Sequence, residues 1–262
     1  MNLEPVSFLA RSSNRVEALV ALEAGPATRA ALQAETGIPR ATLSRILADF
    51  RERGLAERNG HEFSVTPLGV LLAAELRSLS DSIEAVRELQ TLEPWLPLSE
   101  LGIEIGDLAD ASVTLPTPVE PLAPVRRTAE VLASSEQVRG LCNNVVPENL
   151  QALRRAVLED RLAVEVVVTD DAFDAVAADP DVREVVRDLL DSGRVDLAVC
   201  SAALPHLAIL ADDTVLLLVA DDEGAIRGTV ETESDAARAW FATAFDAYHR
   251  DAERVAPDVL TT

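Results

Sequence analysis

The first seventy residues are broken up by turn-forming residues in an order that few folds accept. Val16, Leu19, Val20 and Leu22 recur at helical spacing over 14–24 and stop at Gly25-Pro26, a helix-ending glycine followed by a breaker. Thr28 is placed to cap a second helix over 29–35, and Gly37 makes the turn after it. Pro39 suits the first position of a third helix over about 39–53. In that helix Leu43, Ile46, Leu47 and Phe50 form one apolar stripe, and Gly54 ends it. Two short runs, 55–58 and 61–65, flank Asn59-Gly60, a strong hairpin-turn signal, and Thr66-Pro67 opens another helix. Three helices, a hairpin and a helix is the order of a winged helix-turn-helix, an α+β domain expected over 1–77.

That order turns the third helix's polar face outward, with Arg40, Ala41, Thr42, Ser44 and Arg45 on it. Arg forks onto guanine, and Ser and Thr reach base edges or phosphate, so double-stranded DNA is the expected partner. Arg40, Thr42, Ser44 and Arg45 are the candidate contacts in the major groove, and Arg58, Asn59 and His61 those of the wing. The bland alternative is a solvated helix face with ordinary surface arginines.

Charge divides the chain at the same place. Its net charge is −22, yet residues 1–77 hold nine Arg and nine carboxylates and balance. The whole excess lies beyond them, where like-charge repulsion disfavours approach to phosphate. All 23 basic residues are Arg and none is Lys. A GC-rich genome accounts for part of that. The acid load calls for more, because self-repulsion of this size is relieved only where salt is concentrated. The expected setting is the cytoplasm of a halophile. No apolar run approaches the ~18 residues of a membrane span, and no secretory signal is expected. Without Lys there is neither a pyridoxal Schiff base nor a phosphate-binding P-loop lysine. Cys142 and Cys200 form no C-x-x-C pair and the three His are scattered, so no metal site and no cofactor are expected.

The stretches Phe8-Leu9-Ala10-Arg11-Ser12, Arg40 through Leu47, Gly54-Leu55 and Thr66-Pro67-Leu68-Gly69 resemble haloarchaeal winged-helix regulators. The remainder is similar, more loosely, to the effector domain of methanogenesis regulators and TrmB-type sugar-sensing repressors. The resemblance implies a transcription regulator rather than an enzyme, with a phospholipase-D-like α/β fold in its second domain. The phospholipase D signature needs a His two residues before a Lys, so that hydrolase chemistry is absent here. No catalytic residue is expected.

Over 67–91, Leu68, Leu72, Leu76, Leu79, Ile83 and Val86 follow a spacing near 3.5 residues. The stripe is either the seam of a homodimer or the cover of the effector domain. Residues 78–115 are expected to form a linker helix and a proline-rich connector, with a possible strand over 111–115. Over 116–262, apolar runs at 138–142, 163–168, 195–199, 207–210, 215–219 and 226–230 alternate with amphipathic helices, the pattern of an α/β layer structure. Open α/β sheets bind ligands beside the C-terminal ends of strands. Cys142, Asn143, Asn144, Thr169, Cys200, Ser201 and His206 fall there and are the candidate lining of a small-molecule effector pocket. Two alternatives remain open: a regulator that acts through a protein partner without a ligand, and a redox sensor that uses Cys142 and Cys200.

Overall fold

The computed structural model describes residues 4–260 apart from 97, 102, 109, 205, 206 and 222. The chain divides into two compact units, Met1–Asp81 and Ser82–Thr262.

The first unit runs α1 (Glu4–Ala10), α2 (Ser13–Glu23), β1 (Ala27–Thr28), α3 (Arg29–Thr36), α4 (Arg40–Glu52), β2 (Ala56–Asn59), β3 (Glu62–Val65) and the start of α5 (Pro67–Leu92). Local chemistry sets most of these boundaries. The Thr28 hydroxyl accepts from the Ala31 amide at 3.2 Å and caps α3, and Gly37 at φ 69° ends it. Pro39 sits one position outside α4, at its N-cap, rather than at its first residue. Ile38, Leu43, Ile46, Leu47 and Phe50 join Leu9, Leu19, Leu22 and Leu32 in one sealed core. Two elements were invisible in the sequence pattern. α1 has too few residues for periodicity to register, although Phe8 and Leu9 are buried. β1 is two residues paired antiparallel with β3, making a sheet of order β1-β3-β2.

The hairpin is shifted by one residue from expectation. Asn59 pairs with Glu62, so Gly60 and His61 form the loop and Asn59 is the last strand residue. Gly60 has φ 62° and His61 is not among the residues with positive φ. One positive φ, at the first loop position, belongs to a II′ turn rather than the I′ turn Asn-Gly predicts. At the hairpin's base a Cβ on Gly69 would stand 2.2 Å from the Leu55 carbonyl oxygen and 2.6 Å from Val65 Cγ2. Only glycine lets the first turn of α5 pack this closely.

The second unit continues with the end of α5, then α6 (Leu98–Leu101), β4 (Ser112–Thr114), α7 (Ala123–Ser134), β5 (Gln137–Cys142), α8 (Pro147–Leu158), β6 (Ala163–Thr169), α9 (Asp170–Ala178), α10 (Pro180–Asp191), β7 (Val195–Cys200), β8 (Leu207–Ala211), β9 (Thr214–Ala220), β10 (Ile226–Thr232), α11 (Asp235–Arg250) and β11 (Glu253–Arg254). The sheet order is β11-β7-β6-β5-β8-β9-β10-β4. Only β5, β6 and β7 are parallel; β8, β9, β10 and β4 continue antiparallel from β5, and β11 closes the other edge antiparallel. The fold is thus mixed α and β, and five of the seven pairings in its larger sheet are antiparallel.

Helices cover both faces of this sheet. On one face, Phe241 and Phe245 of α11 pack with Leu141, Val167, Ala198, Cys200 and Leu217. Leu89, Leu92, Leu96, Leu101, Ile103, Leu108 and Ala111 join the same core. The expected connector is therefore core material of the second unit, because its leucines bury against the sheet instead of spanning between domains. On the other face, α7 to α10 cover Val138, Val164, Leu197, Leu207 and Ile209. α7 is stitched to β10 by the buried Thr128–Thr229 hydroxyl pair at 3.2 Å and by Arg127, which donates twice to Glu231 at 2.7 Å. Along α5, Ala73 packs in the first unit's core and Leu89 and Leu92 in the second's, while Leu68, Leu71, Leu79 and Ile83 are exposed.

Candidate nucleic-acid interface and effector pocket

α4 presents a charged face because its apolar stripe is locked inward: Leu43 and Phe50 have no exposed surface. Arg40 and Arg45 are exposed, Thr42 and Ser44 partly so. The Ser44 hydroxyl donates to the Arg40 carbonyl at 2.7 Å, a bond within the helix that a base edge or phosphate would have to replace. The arginines of this unit fall into two groups. Arg15 donates to the Phe8 carbonyl at 2.7 Å and lies over its ring, Arg53 pairs with Glu4, and Arg77 pairs with Glu23. Neither Arg40 nor Arg45 makes an ion pair with another described residue. Arg11, Arg29 and Arg51 make none either, and of the five only Arg40, Arg45 and Arg51 stand on α4.

The wing residues divide as well. Asn59 and His61 are exposed at the hairpin tip. Arg58 is exposed too, but it donates to the Gly60 carbonyl at 2.8 Å and leans on the Phe63 ring. That holds Arg58 beside its own turn.

The six candidate pocket residues that are described do not form one site, although Asn143 and Asn144 share two clefts at the end of β5. Cys142 and Asn144 line one apolar cavity of about 120 Å³ between the sheet and α8–α10. Asn143 is turned elsewhere and donates to the Leu204 carbonyl at 3.1 Å. Thr169 is spent as the cap of α9, accepting from the Ala172 amide at 3.3 Å. Cys200 is buried in the core on the opposite face of the sheet, and Ser201 is exposed in the bend beyond it. His206 lies outside the described residues. The strand-end rule misplaces the group because it ignores strand parity: neighbours in a strand face opposite sides. The cavity runs along the strands, from Val138 and Val164 near their starts to Cys142 and Val168 at their ends. Asn149, on α8, is the lining residue that sequence reasoning missed. A lone polar residue on the inner face of an otherwise amphipathic helix was the available signal.

Strand parity also removes the redox pairing. Cys142 is in register with Val168, and Cys200 with Thr169, so the cysteines sit on strands separated by β6. Two strand spacings are about 9.5 Å, beyond the ~7 Å that a disulfide bridges, and the two side chains point to opposite faces. Burial pushes the Cys142 thiol up to about 12 and raises that of Cys200, so neither is a ready thiolate.

Among the described residues, Glu165, Asp196 and His249 approach closely enough to share an ion. Their charges are already engaged: Arg139 donates to Glu165 at 3.1 Å and Arg254 pairs with Asp196. No described helix is long and apolar enough to cross a membrane.

Two family profiles match separate parts of the chain. Residues 3–88 match the profile of the HVO_A0261 N-terminal domain. Residues 121–251, half of the 262, match that of the methanogenesis regulatory protein FilR1, middle domain. No curated protein matches the sequence. Among solved structures, the archaeal chromatin protein TrmBL2, described as showing a novel mode of DNA binding, is 18% identical with a TM-score of 0.43 over 93% of this chain and 94% of its own. The phospholipase D family member Nuc from Salmonella typhimurium is 15% identical with a TM-score of 0.43, over 56% of this chain and 99% of its own. NucT from Helicobacter pylori is 11% identical with a TM-score of 0.39, over 55% and 98%. These three likenesses are too loose to carry function.

Proposed function

Because the chain belongs to the family of the methanogenesis regulatory protein FilR1 middle domain, we propose that it is a sequence-specific DNA-binding transcription regulator, with a winged helix-turn-helix in its first unit and an effector domain in its second. The observation that carries the DNA-binding half is the exposed face of α4 with Arg40 and Arg45, neither of which pairs with a described residue. They stand on a helix anchored by four buried apolar side chains, in a unit whose residues 1–77 carry no net charge. A rigid helix with exposed guanidinium groups meets the geometric need of major-groove readout, with Arg40, Thr42, Ser44 and Arg45 toward bases and Asn59 and His61 toward the backbone or minor groove.

The regulator acts as a homodimer in this reading. Leu68, Leu71, Leu79 and Ile83 of α5 are each 45–56% exposed and follow a helical stripe, the arrangement a second copy would cover. Operators would then be two half-sites related by a twofold axis.

The test is selection of bound duplexes from a random DNA pool by the full chain in molar salt. The expected result is a motif with twofold symmetry, enriched by the natural sequence and lost in the Arg40→Ala, Arg45→Ala double variant. Uniform retention of all duplexes by both proteins would overturn the reading.

A further inference from the structure

The face of the sheet covered by α7–α10 holds two separate cores. One gathers Val138, Val164, Leu189 and Leu207, the other Val168, Val176, Val186 and Leu197. Cys142, Leu150, Val166 and Val195 touch both and stay only partly buried. Protein interiors are normally packed to crystal density, so a seam of this kind is unusual. Its cavity of about 120 Å³ is close to the ~150 Å³ that elsewhere stays dry and binds benzene.

Three features of the wall specify an occupant. Gly140 stands in the middle of β5 on the cavity floor. A Cβ there would lie 3.3 Å from Val166 Cγ2 and 3.5 Å from Cys142 Sγ, so any larger side chain would grow into the space. Glycine inside a buried strand weakens it and marks a close approach. Second, Asn149 is 6% exposed, and its Oδ1 has no hydrogen-bond partner among the described residues; the Oδ1 of Asn144 is also buried and has none among them. Buried acceptors are nearly always satisfied, so two unmet ones in the same wall call for a donor. Third, every other lining residue is apolar except the Cys142 thiol, which burial keeps protonated. An ionised ligand would lose its hydration with no countercharge, and a polyol would leave most of its hydroxyls unmet.

We propose that this cavity binds a neutral, largely apolar molecule of single-ring size carrying one N–H or O–H donor, which Asn149 or Asn144 accepts through Oδ1. The inference deepens the effector-domain reading by assigning a ligand class to it, and relocates the pocket from the strand ends to the sheet's face.

Phenol and toluene are the probes, since they share a ring and differ in the donor. Calorimetry and thermal unfolding of the full chain in molar salt should show saturable phenol binding with a raised midpoint. Toluene should bind roughly tenfold more weakly, one net hydrogen bond's worth. Asn149→Leu combined with Asn144→Leu, each close in shape to the original, should bring the two probes together, and the single variant that does so identifies the acceptor. Gly140→Val should abolish binding of both; Cys142→Leu fills the same space from the neighbouring position if the first variant does not fold. Absence of saturable binding, or binding that survives both filling substitutions, overturns the pocket. If phenol binds as described but leaves operator affinity unchanged at saturation, the pocket stands and effector gating falls. If no probe binds while sequence-specific DNA binding persists, the pocket falls and the regulator stands.

Discussion

The two units solve the same packing problem differently. Residues 1–81 hold nine Arg and ten carboxylates, whereas residues 82–262 hold fourteen and thirty-five. The first unit closes one core around Phe8, Phe50 and Phe63, and pairs only Arg15, Arg53 and Arg77 of its nine arginines with carboxylates of described residues. The second engages many of its arginines in ion pairs, among them Arg127, Arg139, Arg154, Arg161 and Arg194, and still carries a net charge of −21. It also leaves a cavity beneath its helices. The unit proposed to approach phosphate is close to neutral and sealed. The acidic unit is the one whose core is left incomplete. In the proposed function, that difference would separate recognition at a surface from recognition in an interior within one chain.

The contrast breaks first, and most severely, under low salt. Lowering salt from 1 M to 0.1 M lengthens the screening distance from about 3 Å to about 10 Å, which lets the second unit's carboxylates repel. The second unit should unfold while the first keeps its structure. Both tryptophans, Trp95 and Trp240, lie in the second unit, so tryptophan fluorescence reports it alone, while helical circular dichroism reports both. Coincident loss of the two signals would erase the distinction.

The next effect is on binding. Arg45→Ala should cost about 1–3 kcal/mol of operator affinity with no change in either unit's unfolding. The same substitution at Arg58, already bonded to the Gly60 carbonyl, should cost less. Equal losses at the two positions would mean that engagement within the chain does not matter.

Alkali tests the second unit's interior more gently. Above pH 9 the side chains that titrate are two Cys and one Tyr, because Lys is absent. The Cys142 thiol, pushed up to about 12, holds its proton in the folded state after the unfolded chain has released it near pH 9. Its contribution is therefore complete below that pH and drains as pH rises toward 12, by at most about 1.4 kcal/mol per pH unit. Cys142→Ala should flatten the decline of the second unit's stability over this range; unchanged slopes would place the thiol in water. Smallest of all is the response to oxidant. The Cys142→Ser, Cys200→Ser variant should bind operator as the natural protein does before and after diamide treatment, and loss of a response present in the natural protein would restore a redox role.

Much of the first unit was readable because its determinants are local. Thr28, Gly37, Gly54 and Thr66-Pro67 act within a turn of where they sit, and the stripe on α4 repeats with the helix. The hairpin slipped by one residue because its turn is decided by φ at His61 as well as at Gly60, and the Asn-Gly pair speaks only for part of that. In the second unit the strands were legible one by one, but the pocket was not. Residues near one another in sequence, Cys142 and Asn143, or Thr169 and Asp170, part company once strand parity and helix caps take effect.

The sequence by itself determined the extent of most helices to within a residue or so, which side chains of 39–53 turn outward, that charge divides near residue 77, and that no lysine chemistry is available. Each of these follows from composition or from interactions within a few residues. Tertiary structure alone decided that β5 lies between β6 and β8, that Cys142 and Cys200 face opposite sides of the sheet, that Arg15 and Arg53 pair with described carboxylates while Arg40 and Arg45 do not, and that Gly140 and Asn149 meet in one cavity. Those outcomes depend on pairings between residues distant in sequence. Such pairings follow from which surfaces bury together, and no local pattern encodes them.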